Sequence, residues 1–196
     1  MSLTIHFNIH SLCIIVDKDA DKALGTGFVF IRPNWIVTAK HVVVEDDGIR
    51  NNLQLLHLNK KPVSTSVLFV HPIYDLAVLA TDSLLCQKPL FPSYEEFTGI
   101  KGLICCGYSP SKSTENELSF FVNSVPNYQL ETRSRDYGDE KLLFFDAPFA
   151  EGGHSGGPLL GEGAGVVAVV IEGFNSNDQY IVKATSILPL LEFLKF

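Results

Sequence analysis

Basic residues are in short supply. Lys and Arg number 15 against 22 Asp and Glu, a formal charge of −7 at pH 7. A nucleic-acid partner requires a clustered positive field, so this balance argues against one. Long apolar runs are also missing. The longest, near Ala164 to Ile171, is far short of the ~20 residues a membrane-spanning helix needs, and no membrane partner is expected. No Lys or Arg precedes an apolar stretch at the start, where Met1 to His10 alternate apolar and polar residues as a strand does. Without an export signal, the expected setting is cytoplasmic and reducing. Cysteine is scarce: Cys13, Cys86, Cys105 and Cys106. The adjacent Cys105 and Cys106 could bridge only with strain, so buried thiols are expected rather than a disulfide framework. No C-x-x-C pair offers metal-ligand spacing, and neither metal nor cofactor is expected. There is no internal repeat and no low-complexity tract.

What is present is the balance of a folded protein. Apolar residues make up 46% of the 196, charged residues 19%, and Phe alone contributes 14. A chain of this length buries roughly 70% of its unfolded surface, as one domain or two small lobes. Short β-branched and apolar segments recur between turn residues: Leu12 to Val16, Gly27 to Ile31, Trp35 to Thr38, Leu53 to Leu58, Ser66 to Val70, Leu76 to Ala80, Leu103 to Cys106, Leu118 to Val122, Leu142 to Phe145, Val166 to Ile171 and Tyr180 to Ala184. Such spacing indicates an all-β sandwich or barrel pair. The Pro-containing stretch 89–99 splits the strands into two groups and reads as a linker. Ser111 to Glu117 and the charged Glu131 to Lys141 read as exposed loops. One helix is expected at the C-terminus, with Ser186 as N-cap, Pro189 in the first turn, and Ile187, Leu190, Leu191 and Leu194 on one face.

Three local patterns carry chemistry. Trp35-Ile36-Val37-Thr38-Ala39-Lys40-His41 runs a strand into a small-residue turn that ends on a histidine. In His71-Pro72-Ile73-Tyr74-Asp75-Leu76-Ala77-Val78-Leu79 an aspartate opens an apolar strand. In Glu151-Gly152-Gly153-His154-Ser155-Gly156-Gly157-Pro158-Leu159 a serine sits among four glycines. Each has an ordinary reading alone: a solvated histidine, a turn aspartate, a flexible hairpin. Together they supply a nucleophile, a base and an acid that fixes the base's tautomer, while the Gly153 and Ser155 N–H groups are natural oxyanion donors. The other histidines, His6, His10, His57 and His71, are given no role. G-H-S-G-G also fits the nucleophile elbow of α/β-hydrolases, but there the histidine follows the serine, and all six histidines here precede Ser155.

These motifs, with Gly25-Thr26-Gly27-Phe28, resemble those of chymotrypsin-fold (trypsin-like) serine proteases, nearest to the bacterial Deg/HtrA-type peptidases. The resemblance implies two six-stranded antiparallel β-barrels and a C-terminal helix. It divides the chain into a first barrel over 1–88 with His41 and Asp75, the linker 89–99, a second barrel over 100–185 with Ser155, and the helix 186–196. It implies a serine endopeptidase with a cleft between the barrels and a protein or peptide substrate. A protease fold kept as a catalytically silent binding or regulatory module is the alternative, against which the intact triad argues. The resemblance also implies a substrate pocket lined by Phe149, Ile171, Glu172 and Gly173, with substrate pairing as a strand along 171–173. No acid stands where trypsin has its aspartate, so a small or medium apolar side chain is expected there, with Glu172 a competing attraction for a basic one.

Two departures matter. Digestive members place an aspartate before the serine, to pair with a freed N-terminal amine; His154 stands here, so activation by clipping is not expected. No peptide-binding PDZ domain of the Deg type is expected, and a regulatory protein partner or a distorted resting oxyanion loop is the expected restraint.

Overall fold

The computed structural model describes residues 9–20, 22–46, 48–57, 62–94, 100, 102–113, 118–135, 138–148, 152–176 and 179–194. The first half comprises Leu12–Asp17 (β1), Lys22–Val29 (β2), Trp35–Thr38 (β3), the one-turn helix Lys40–Val43 (α1), Val44–Glu45 (β4), Gly48–Ile49 (β5), Leu53–His57 (β6), Val63–Ser64 (β7), Ser66–Val70 (β8) and Ala77–Ala80 (β9). The second comprises Leu103–Tyr108 (β10), Phe120–Val125 (β11), Gln129–Arg135 (β12), Gly138–Asp146 (β13), Pro158–Leu160 (β14), Val166–Ser176 (β15), Gln179–Ser186 (β16) and the helix Leu188–Leu194 (α2).

Each half is a curled antiparallel sheet. The orders are β7-β6-β1-β2-β3-β9-β8 and β11-β10-β14-β15-β16-β13-β12, with β4 and β5 as a separate ribbon. Register shifts at Ile15/Val16, Val67/Phe69, Leu159/Leu160 and Val170/Glu172 insert bulges, which raise local twist and bend a sheet toward closure. This is the expected all-β class with a terminal helix. Among the described residues each sheet counts seven strands where the resemblance implies six. The first gains the two-residue β7 at its edge.

In the second sheet β12 stands at the edge, formed by part of the charged stretch 131–141. That stretch was expected as a loop, and the structure corrects this: it supplies most of β12 and the start of β13. The pairing runs Glu131↔Leu142, Thr132↔Lys141, Arg133↔Glu140 and Ser134↔Asp139. Cross-strand pairing with β13, itself anchored on β16, outweighs the weak strand propensity of so many charges. Glu131 and Arg133 pair at 2.7 Å on the exposed edge, where charge discourages pairing with another chain.

The two sheets share their interiors. One apolar cluster joins Leu12, Phe28, Phe30 and Val37 of the first to Cys106, Leu160, Val166 and Val169 of the second, and to Ile187, Leu190 and Leu191. Leu188 N–H donates to Ser186 Oγ at 3.2 Å, the capping role expected of that serine. The stretch 90–93 adds a rung to each half: Ile31 N–H donates to Leu90 O at 2.8 Å and Ser93 N–H to Val166 O at 2.8 Å. Residues 95–99 of the expected linker, and 114–117 of the expected loop, lie outside the described residues. No helix among the described residues is long and apolar enough to cross a membrane.

All four cysteines are buried free thiols. Burial pushes the Cys13 thiol up to about 12 and raises Cys105 and Cys106 as well. Since the thiolate is the reactive form, native protein at pH 8 should show no rapidly reacting thiol toward Ellman's reagent, and denatured protein four. A fast thiol in the native protein would contradict this burial.

Candidate active site

β3 ends at Thr38, Ala39 remains extended, and α1 then turns the chain back. Ala39, Val42 and Val43 are buried and fix this turn, which leaves the His41 side chain outward, 49% exposed. Asp75 lies in the loop from β8 to β9, closed by His71 N–H to Leu76 O at 2.9 Å and Leu76 N–H to Tyr74 O at 2.8 Å. Its carboxylate is less exposed, at 28%, and takes His41 twice: Oδ2 lies 2.7 Å from Nδ1, and Oδ1 accepts the backbone N–H at 2.9 Å. Burial alone would push the carboxyl up. The hydrogen bond and charge of His41, with the backbone N–H groups of His41 and Lys40, outweigh this and hold it below the usual carboxylate range. It therefore stays an anion near neutral pH. A carboxylate facing Nδ1 puts the neutral ring's proton there and leaves Nε2 with a free lone pair.

Ser155 sits in the turn leading into β14. Gly153 and Gly156 have φ of +101° and +88°, in the left-handed region. A side chain at Gly156 would also collide with the Thr26 carbonyl and the Thr38 hydroxyl, so the turn lies directly against the first sheet. The N–H groups of Gly156 and Gly157 are occupied, bonding Val170 O at 2.7 Å and His154 O at 2.9 Å. Those of Gly153 and Ser155 donate to no partner among the described residues, nor does the Ser155 hydroxyl bond one. The His154 ring turns inward against Phe121, with centroids 4.3 Å apart, and anchors the turn in the second sheet.

The residue that joins the two halves here stands in the Gly25-Thr26-Gly27-Phe28 motif, to which sequence reasoning assigned no bonding role. Thr26, fully buried in β2, donates its N–H to Ser155 O at 2.8 Å and its hydroxyl to Gly153 O at 2.7 Å. The same hydroxyl accepts Tyr108 N–H at 2.9 Å, and its carbonyl accepts the Thr38 hydroxyl at 2.8 Å. Ser155 thus lies beside the strand pair that leads to His41. The carbonyl of Ser155 and the Val42 side chain converge on Gly25, so the residue after His41 is a close neighbour of the turn.

Of the residues expected along the substrate cleft, Ile171 is buried in an apolar cluster with Ala39, Val42, Val43 and Ala77 of the first half. It falls at the bulge, outside the β15–β16 ladder. Glu172 points outward and pairs with Lys183 at 3.3 Å, so its charge is already met. Gly173 lies beneath Tyr180, whose hydroxyl and ring occupy the place a side chain there would take. Sequence reasoning did not single out Tyr180. It sits on the strand paired with Gly173, and only the register aims its ring back across. Phe149 lies outside the described residues. Beyond Val170, β15 pairs only with β16, and its other flank meets no strand among the described residues. Among the described residues no three His, Cys, Asp or Glu side chains converge as metal ligands would.

Thr26→Val keeps the shape but leaves the Gly153 carbonyl and the Tyr108 N–H unsatisfied. It should cost about 1–3 kcal/mol in urea unfolding with an unchanged slope, and Thr26→Ser should cost less.

A family profile for the trypsin-like peptidase domain matches residues 25–169, well over half of the chain. No curated protein sequence matches it. Among solved structures, the Rv3671c protease of M. tuberculosis in its inactive form is similar with a TM-score of 0.69 and 23% identity, over 96% of this chain and 90% of that one. The MamO protease domain of Magnetospirillum magneticum matches with a TM-score of 0.67 and 11% identity, over 93% and 95%. The serine protease of human pathogenic astrovirus matches with a TM-score of 0.63 and 22% identity, over 95% and 94%. At these identities the likeness is one of fold. The family match, reached independently through the sequence, says more: this chain belongs to the trypsin-like peptidase family and is a serine protease.

Proposed function

We propose that the chain is a serine endopeptidase in which Ser155, His41 and Asp75 form the catalytic triad, with the N–H groups of Gly153 and Ser155 as the oxyanion hole. The observation that carries this is the double hold of Asp75 on His41, through Nδ1 at 2.7 Å and the backbone N–H at 2.9 Å. It orients the ring and fixes the tautomer a general base needs.

Ser155 Oγ attacks the carbonyl carbon of the scissile bond while its proton passes to His41 Nε2. The negative charge develops on the former carbonyl oxygen, where two fixed N–H groups stabilise it; losing one such donor typically costs about 10²–10³ in rate. The imidazolium, stabilised by the Asp75 anion, gives its proton to the departing amine as the C–N bond breaks. An acyl ester on Ser155 remains. Water then attacks it by the same route, His41 taking the water's proton and returning one to Ser155 Oγ. The open flank of β15 supports an extended substrate that adds as an antiparallel strand beside Ile171, Glu172 and Gly173. The side chain before the scissile bond meets the Tyr180 ring, which favours a small apolar residue over a long one. Lys183 on Glu172 weakens the case for a basic residue.

Fluorophosphonate labelling tests the nucleophile. Wild type should label, Ser155→Ala should not, and Asp75→Asn should slow labelling by up to about 10⁴-fold because the ring takes the wrong tautomer. Equal labelling of Ser155→Ala would refute the assignment. A peptide-library profile tests the pocket: wild type should prefer small apolar residues and Tyr180→Gly should admit larger aromatic ones. Dominant cleavage after Arg or Lys would overturn the specificity reading.

A further inference from the structure

The loop that carries Asp75 is held from within by a histidine to which the mechanism gives no part. His71 follows β8 and is 2% exposed. Its Nδ1 accepts two backbone N–H groups, from Ile73 at 3.2 Å and Tyr74 at 3.0 Å. Its own N–H closes the far side of the loop on Leu76, and its carbonyl accepts Lys40 Nζ at 3.3 Å. One residue therefore ties the backbone on both sides of Asp75 and also reaches the residue before His41.

Packing fixes the ring in that position. Phe69 meets it edge-on at 6.0 Å, Tyr74 lies at 4.6 Å, and Phe193 of α2 at 4.9 Å and 68°. A ring nitrogen that accepts two N–H bonds carries no proton, so His71 is neutral with its hydrogen on Nε2. An imidazolium would turn an N–H toward two other N–H groups, and both bonds would be lost.

We propose that His71 is a positioning residue for Asp75, and that its unprotonated Nδ1 keeps the loop where the carboxylate can hold the Nδ1 and the backbone N–H of His41. Protonation of His71 releases the loop. This rests on the triad reading for its effect on rate, but the clamp itself is a matter of backbone geometry. Burial first, and the charge of Lys40 second, push the imidazole below its ordinary value of 6.5. The released loop therefore binds a proton more readily than the clamped one. The clamp is at full strength above about 6.5 and weakens as pH falls through the lowered value. The charged and titratable groups around it are Lys40 of α1, Tyr74 and Asp75 of its own loop, Asp139 and Lys141 of β13, and Glu192 of α2. His71 and Tyr74 share with the last three a cavity of about 520 Å³ between the loop, β13 and α2.

Two variants separate the acceptor from the ring. His71→Phe keeps an aromatic ring of similar size but removes the acceptor, whereas His71→Asn supplies an amide oxygen near the Nδ1 position and does not titrate. Saturation kinetics of fluorophosphonate labelling should show His71→Phe slowed about 10- to 100-fold at saturation, the order expected when a reacting group is misplaced by ~1 Å, with half-saturation nearly unchanged. His71→Asn should recover most of the rate at pH 8. On the acid side, wild-type labelling should fall with one proton more than that of His71→Asn, the proton taken up by His71. A His71→Phe rate within twofold of wild type, or identical acid limbs, overturns the proposal. A readout independent of activity uses Ser155→Ala protein: the Ile73 and Tyr74 amide NMR signals should titrate in step with the His71 ring, and amides that stay fixed while the ring titrates overturn it as well. Wild type that never labels would defeat the triad reading instead, and the amide titration would still decide the clamp.

Discussion

The hydroxyl of Thr26 receives one hydrogen bond from the second sheet and returns another, and the serine turn is set against the first sheet through it. Tyr108 N–H reaches it at 2.9 Å, and it reaches Gly153 O at 2.7 Å. With the Thr26 N–H on Ser155 O, β2 grips the serine turn at two carbonyls two residues apart. Carbonyls drawn toward the first sheet leave the Gly153 and Ser155 N–H groups without partners among the described residues, and donors of that kind are what the proposed oxyanion hole requires. The absence of a side chain at Gly156 permits the approach, since a methyl group there would strike both Thr26 and Thr38.

The shared apolar clusters make that alignment durable. Ile171 packs with Ala39, Val42 and Val43, so the strand proposed to hold substrate and the turn that carries His41 rest on common ground. At the other end of the interface, Leu190 and Leu191 bury α2 against both sheets, and Phe193 extends it to His71 beside the Asp75 loop. Each of the three proposed catalytic side chains is thus backed by residues from the opposite half, which makes the site a property of the whole chain rather than of either lobe.

Much of this could be read from the residues. Trp35–Thr38 and Ser66–Val70 are dense in β-branched and apolar groups and are strands with the expected ends. The His41, Asp75 and Ser155 patterns were visible because each combines a reactive residue with the local device that positions it: a strand end, a loop, a glycine turn. The charged segment 131–141 misled because its strand character comes from partners on β13 and β16, not from its own composition. The bonding role of Thr26 and the place of Tyr180 were hidden for a related reason. A threonine or tyrosine in a strand is ordinary, and only register aims the one at Gly153 and the other over Gly173. His71 looked like any histidine before a proline, because a ring nitrogen's task depends on which backbone groups converge on it.

The two flanks of the second sheet are treated differently. At β12, Glu131 and Arg133 stand on the exposed edge and discourage an approaching chain. Past Val170, the flank of β15 beside the serine turn meets no strand among the described residues. An edge of this kind pairs as a strand only with a polypeptide whose own amides and carbonyls are still uncommitted. Within a helix or an interior strand those groups are already spent. On the proposed strand addition, this edge would sort proteins by conformation before it sorts them by side chain, and a well-folded neighbour would be spared by its own hydrogen bonds.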